Sequence, residues 1–184
     1  HEGKRIALQD AVTFQYPKRI QSLEKELQSL QMDLDRRNQA MEVQPGFAIT
    51  LQGKVYEKHK EAGEVLRGII EGVTAFTRHE VGMYKGFQVF VQKDMMEPVL
   101  FLQGEKEYSV ELKSSDSGNM VRMENRLNAL DKAVEDVQKE IKTCENEIKN
   151  AKQEYAKPFP YEELLKENIT RQMEIDAELE IKDQ

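Results

Sequence analysis
The 184-residue sequence predicts an α+β fold: an antiparallel helical hairpin of coiled-coil type, a small β-β-α-β-β-β domain inserted between its arms, and a C-terminal helix. Two observations carry the arms, because apolar residues recur at alternating three- and four-residue spacing over 17–45 and again over 119–157. A third carries the insert, residues 46–118, where the apolar period drops to two and glycine and proline punctuate the chain.

In the first arm the stripe runs Ile20, Leu23, Leu27, Leu30, Leu34, then Arg37 and Met41, and only Arg37 departs from an apolar seam. Pro17 suits the first turn, where its missing N–H loses no partner, and Pro45 with Gly46 stops the helix. The second stripe is longer and unbroken: Met123, Leu127, Leu130, Val134, Val137, Ile141, Cys144, Ile148, Ala151 and Tyr155. Ser117, Gly118 and Asn119 offer capping groups at its start, and Pro158 closes it. Neither stripe can bury itself alone. Paired antiparallel from the insert outward, facing residues have numbers summing to roughly 164, so Leu34 meets Leu130 and Leu27 meets Val137. The second helix then overhangs Ile20 by about 16 Å, and either the segment 6–16 or the final helix covers the excess.

Within the insert, Phe47, Ile49 and Leu51 alternate with Ala48 and Thr50, Gln52 and Gly53 signal a turn, and Lys54-Val55-Tyr56 resumes, which reads as a β-hairpin. A helix follows over 58–76, with Ala62, Val65, Leu66, Ile69, Ile70 and Val73 on one face. Three strands come next, over 84–92, 99–103 and 106–112. A single antiparallel sheet with the helix across one face buries this set. Residues 1–16 read as a lead-in that continues an upstream domain, since the chain opens without Met in a charged stretch. Residues 158–184 read as an acidic helix.

Composition narrows the function. With 39% hydrophobic and 33% charged residues the chain has little material for a thick core. No apolar run approaches the roughly 18 residues of a membrane span and no secretory signal opens the chain, so a cytoplasmic protein without membrane contact is expected. The single Cys144 excludes an internal disulfide framework and, lying in the seam, reads as a small core residue. The net charge of −7 is concentrated in the tail, where residues 158–184 hold 3 basic and 8 acidic side chains. The rest is near balance. It has no strongly basic cluster, so DNA contact is permitted rather than indicated.

Catalytic signatures are missing from the sequence. No GxxxxGK[ST] or GxGxxG occurs, so neither nucleotide hydrolysis nor dinucleotide binding has a seat. His1, His59 and His79 are too few for a His-based metal site, and the last two read as structural imidazoles. Glu162 and Glu163 read as favourable partners of a helix start, and the Lys-Pro-Phe-Pro-Tyr run of 157–161 lacks the amide-binding group of an amino-methyltransferase loop. Met95 and Met96 read as a loose connection. No catalytic residue, metal ligand set or cofactor is expected.

Two places hold more chemistry. Tyr84-Lys85-Gly86-Phe87 puts aromatics and a cation around a glycine at the start of a strand, suited to capping a core or to stacking on bases. Arg122, Asn125 and Arg126 share a helical turn just after Asn119, suited to a polar network at the joint of sheet and coiled coil or to a ligand site. Tyr84, Lys85, Phe87, Arg122 and Arg126 are therefore the candidate nucleic-acid or partner contacts, and Asn119 with Asn125 the candidate joint.

The runs 47–56 (FAITLQGKVY), 60–64 (KEAGE) and 84–87 (YKGF), then Gly118-Asn119 and Arg122-Met-Glu-Asn125, resemble a coiled-coil region of the very large helicase and adenine-specific DNA methylase proteins of conjugative elements, plasmids and phages. The resemblance covers roughly residues 17–180, and its motifs are structural rather than catalytic. It implies a parent protein engaged in mobile-element DNA metabolism, whose Swi/Snf-type helicase and methylase residues lie outside this chain. The expected role is a non-enzymatic accessory arm, monomeric, with DNA and other domains of the parent as partners. The alternative is a protein-interaction or oligomerisation coiled coil.

Overall fold
Both heptad stripes are helical, and the residues the seam names are buried or half-buried apart from Met41, which is exposed. The computed structural model describes residues 2–156 and 160–182. The chain divides into two compact units, Glu24–Lys139 and a second made of His1–Leu23 with Glu140–Gln184.

The first arm is α2 (Tyr16–Val43), preceded by α1 (Glu2–Asp10) and a π-helical turn at Ala11–Gln15. The lead-in is thus helical and continuous with the arm, and Pro17 lies inside the helical run instead of opening it. A wider turn immediately upstream suits a residue that has no N–H to donate and whose ring crowds the preceding turn. Leu23, Leu30 and Arg37 are buried and Leu27 and Leu34 half-buried, as the seam requires.

The second arm departs from one unbroken helix. It begins three residues early, as α4 (Asp116–Asn128), and restarts after Ala129 as α5 (Leu130–Ala156). Ser115 is the cap, its hydroxyl accepting the Gly118 N–H at 3.1 Å. At the interruption the Leu127 carbonyl accepts a 2.8 Å hydrogen bond from Arg37 Nη1. The stripe stays buried across the break, from Met123, Leu127 and Leu130 to Val134 and Val137. Arg37 opposite Leu127 is the facing that the predicted register demands. The expected stop at Pro158 lies outside the described residues.

The insert has one more strand than the sequence suggests. Its order is β1 (Ile49–Leu51), β2 (Lys54–Tyr56), α3 (His59–Gly72), β3 (His79–Tyr84), β4 (Phe87–Gln92), β5 (Val99–Gln103) and β6 (Glu107–Glu111), that is β-β-α-β-β-β-β. Helix α3 ends at Gly72, short of the expected residue 76, and the chain uses the difference to enter β3. Six antiparallel strands form one sheet in the order β2-β1-β3-β4-β5-β6. Strand β3 escapes a reading by alternation because a register shift between Glu80 and Gly82 breaks its period and because Gly82 is there for space. A Cβ on Gly82 would lie 1.7 Å from the Thr50 carbonyl oxygen of β1. Lys85 and Gly86, with φ of 46° and 86°, form the two-residue turn between β3 and β4.

Register sorts the sheet into two faces. On the inner face Ile49, Tyr84 and Phe87 form one row and Leu51, Gly82, Val89, Leu102 and Tyr108 the next. Apart from Gly82 these residues are buried to 4% exposure or less, and the helices pack over them. The outer face carries Thr50, Met83, Gln88, Phe90, Phe101 and their neighbours, exposed or half-buried.

In the second unit Arg19 pairs with Glu140, and the Arg5 guanidinium lies 5.2 Å from the centre of the Tyr155 ring, so the segment before the arm covers the overhang. Leu23, Cys144 and Ala151 are buried there. In helix α6 (Pro160–Lys182) the side chains from residue 166 to 182 are exposed.

Candidate functional site
The candidate contacts separate into three environments. Tyr84 is 4% exposed and Phe87 fully buried, the first 6.0 Å from Phe47 and the second edge-on to Tyr108 at 6.0 Å. Both rings are core, and no base can stack on either without opening it. Burial, and then the nearby Glu124 carboxylate, push the Tyr84 hydroxyl well above the usual phenol range. Lys85 turns back toward the arm, its Nζ donating to the carbonyls of Gln44 and Gly46 just past the end of α2. The cation thus holds the turn that leaves the helix, and the accompanying burial lowers its pKa.

Arg122 and Arg126 are exposed on α4. Arg126 Nε donates to the Ser109 carbonyl of β6 at 3.2 Å, and its guanidinium lies 5.3 Å from the Tyr108 ring centre. Arg122 donates to Asn119 Oδ1 at 3.0 Å. Buried Asn119 also takes the Lys113 N–H at 2.7 Å and gives its amide to the Lys113 carbonyl at 2.9 Å, so one side chain pairs with that residue as a strand would. Asn125 takes no such part: it is exposed and contributes its backbone carbonyl, to the Ala129 N–H.

The strongest polar site in the unit is one that alternation and motif do not mark. Asp33 of α2 has no exposed surface. Its Oδ1 accepts the Glu105 N–H at 2.7 Å, and its Oδ2 accepts the Lys106 N–H at 3.0 Å and the Tyr108 hydroxyl at 2.7 Å. Two backbone donors at the β5–β6 turn thus close on a carboxylate from the arm, with Arg36 Nε 3.7 Å away to balance it. Arg36 also bonds the Gly86 carbonyl at 3.3 Å and lies over the Phe87 ring at 5.8 Å, which ties the β3–β4 turn to the same helix turn. Gly104 is required beside this carboxylate, because a Cβ there would meet Asp33 Oδ1 at 2.2 Å. Burial, then the Asp33 hydrogen bond, raise the Tyr108 pKa far above its ordinary value.

Arg37, next along, faces the other arm. Besides the Leu127 carbonyl it bonds Asp131 in a two-pronged pair at 2.7 and 3.2 Å, and these hydrogen bonds hold the Asp131 carboxyl below the usual range. One helical turn therefore fastens three things: Asp33 the β5–β6 turn, Arg36 the β3–β4 turn, Arg37 the second arm. Asp33, with three donors on its two oxygens, holds geometry instead of offering a carboxylate to a substrate. His59 pairs with Glu124 while stacked on Phe47 at 4.2 Å, and His79 donates to the Thr74 carbonyl at 3.0 Å, both as structural imidazoles.

Among the described residues no group of three or more His, Cys, Asp or Glu side chains is placed to hold a metal ion, and no helix is long and apolar enough to cross a membrane. Comparison with protein-family models, with curated proteins and with solved structures finds no match.

Proposed function
We propose that the chain is a non-catalytic accessory arm of a larger mobile-element helicase or DNA methylase, stiffly presenting the small sheet domain to DNA or to another part of the enzyme. The observation that supports this most is the buried Asp33 carboxylate, which joins the arm to the sheet by three hydrogen bonds where a flexible tether would serve a mobile domain. A displacement of the domain is then a displacement of the helix. If DNA is a partner, Arg122 and Arg126 are the predicted contacts that remain exposed.

Mobility shift of duplex and single-stranded DNA at about 50 mM salt tests the reading. Binding should be sequence-independent, and the double change Arg122→Ala with Arg126→Ala should lower its salt slope by about two. No shift at all would remove DNA and leave presentation to a protein. The alternative, an oligomerisation module, draws on α6, whose Ile169, Met173 and Leu179 are 49%, 67% and 55% exposed. Light scattering at micromolar concentration should give a monomer, because pairing within one chain has the higher effective concentration. A dimer mass at every concentration would favour the alternative.

A further inference from the structure
We propose that the outer face of the sheet is a protein-docking surface, shaped for an amphipathic helix with an apolar centre and lysine or arginine flanks. The inference goes beyond the accessory-arm reading and stands whichever parent carries the arm.

The face follows from register. Phe90 and Phe101 are directly paired across β4 and β5, the two strands next to β3 and β6, and both rings are half-buried. Gln88 pairs with Gln103 on one side of them and Gln92 with Val99 on the other. Toward the β2 edge the apolar surface continues through Met83 and Val55, which are 42% and 57% exposed. Aromatic anchors inside a ring of polar groups are the anatomy of a binding surface, not of a purely solvated one. Adjacent strands lie about 4.8 Å apart, so a paired Phe row with its neighbours spans about the 10 Å width of one helix.

Charge decides between partners. Glu80, Glu107 and Glu111 occupy outer-face positions paired with or beside the aromatic row, against two cations that pair with them, Arg78 with Glu107 and Lys113 with Glu111 at 3.6 Å, so that Glu80 is left in excess. A nucleic-acid strand would bring phosphates to a rim of carboxylates. A cationic peptide would meet them with the right sign. Arg78 itself demonstrates the chemistry: its guanidinium lies 3.7 Å from the Phe101 ring centre while it pairs with Glu107. An arriving lysine or arginine would find the same two elements, an aromatic face and a carboxylate, repeated at Phe90 and Glu80, which are cross-strand partners.

The test titrates the whole chain with a synthetic peptide of about 14 residues, leucines at helix spacing and lysines elsewhere, with its glutamate counterpart, and with oligothymidine. Backbone amide signals of Met83, Phe90 and Phe101 should move with the lysine peptide and with neither control. Phe90→Ser combined with Phe101→Ser should weaken binding by about tenfold or more, the change expected on losing aromatic anchors. Glu80→Gln, Glu107→Gln and Glu111→Gln together should weaken it at low salt and flatten its salt dependence, and this variant leaves the core untouched if the serine variant proves unstable. The proposal is overturned if the lysine peptide fails to bind, if its shifts map to the helices, or if neither variant changes its affinity. Oligothymidine binding that the serine variant abolishes would overturn it in favour of a nucleic-acid platform.

Discussion
Replacing Asp33 should be among the most damaging single changes available in the sheet-bearing unit. Asp33→Ala removes the acceptor of three hydrogen bonds and leaves the part-buried Glu105 and Lys106 N–H groups and the buried Tyr108 hydroxyl without it. Hydrogen bonds to a charged group contribute about 1.5–3 kcal/mol each, and because the three share one acceptor they do not add fully. Loss of one member of such a buried cluster therefore costs about 3–5 kcal/mol. Asp33→Asn keeps the shape but turns one oxygen into a donor facing a donor, for about 1–3 kcal/mol, and Tyr108→Phe removes a single bond for about 1 kcal/mol. Urea unfolding followed by far-ultraviolet circular dichroism gives the order, and amide exchange at Glu105 and Lys106 gives the location. Alanine should be worst, phenylalanine at Tyr108 mildest, with exchange accelerated at those two amides. A loss below 1 kcal/mol for Asp33→Ala, with both amides still protected, would refute the assignment of the carboxylate as their acceptor.

Three further outcomes are expected. Gly104→Ala, which drives a Cβ to 2.2 Å from Asp33 Oδ1 and 2.7 Å from the Phe87 ring, should cost about 2 kcal/mol or more in the same unfolding assay. Leu130→Asp puts a charge at a 1% exposed seam position and should cost about 3 kcal/mol or more while leaving the sheet's amide protection; an unchanged melting temperature would mean the stripe is not buried. The Asp131 carboxyl, held below its usual pKa by Arg37, contributes stability above the ordinary carboxylate value of about 3.9 and loses it as pH falls through the folded value. Asp131→Asn should therefore differ in stability from the unaltered chain at neutral pH and converge with it in acid, and a gap that persists at pH 2 would contradict the pairing.

The arms and most strands are legible in the sequence because burial imposes a period there. The seam names Leu23, Leu30, Leu127 and Leu130, and its one departure, Arg37, marks the residue that joins the arms where the second helix is interrupted. Asp33 gives no such signal. It lies one position before the seam residue Leu34, in the polar run of an ordinary exposed helix, and two of its partners are backbone N–H groups that no side-chain pattern can announce. Strand β3 is hidden by the Gly82 approach to β1, and with it the fact that Lys85 and Gly86 form a turn. That one omission makes Tyr84 and Phe87 look like residues at the lip of a strand, whereas as the paired ends of a hairpin they point into the core together. The outer face was equally beyond reach, since Phe90 and Phe101 become neighbours only once the register of β4 and β5 is known.

The seam closes across 90 positions of chain between Arg37 and Leu127, and this sets an order of assembly. Closing an unfolded loop of that length costs about 4 kcal/mol in chain entropy before any leucine meets its partner. A folded insert removes that cost by delivering the end of α2 and the start of α4 to the same neck, so the sheet domain acts as the hairpin's turn. Folding is then expected to begin in the insert and to zip outward along the arms, each turn of helix adding contacts that are already near. The tips of the arms, last to form, would be the first to open, and the neck with Asp33 the last.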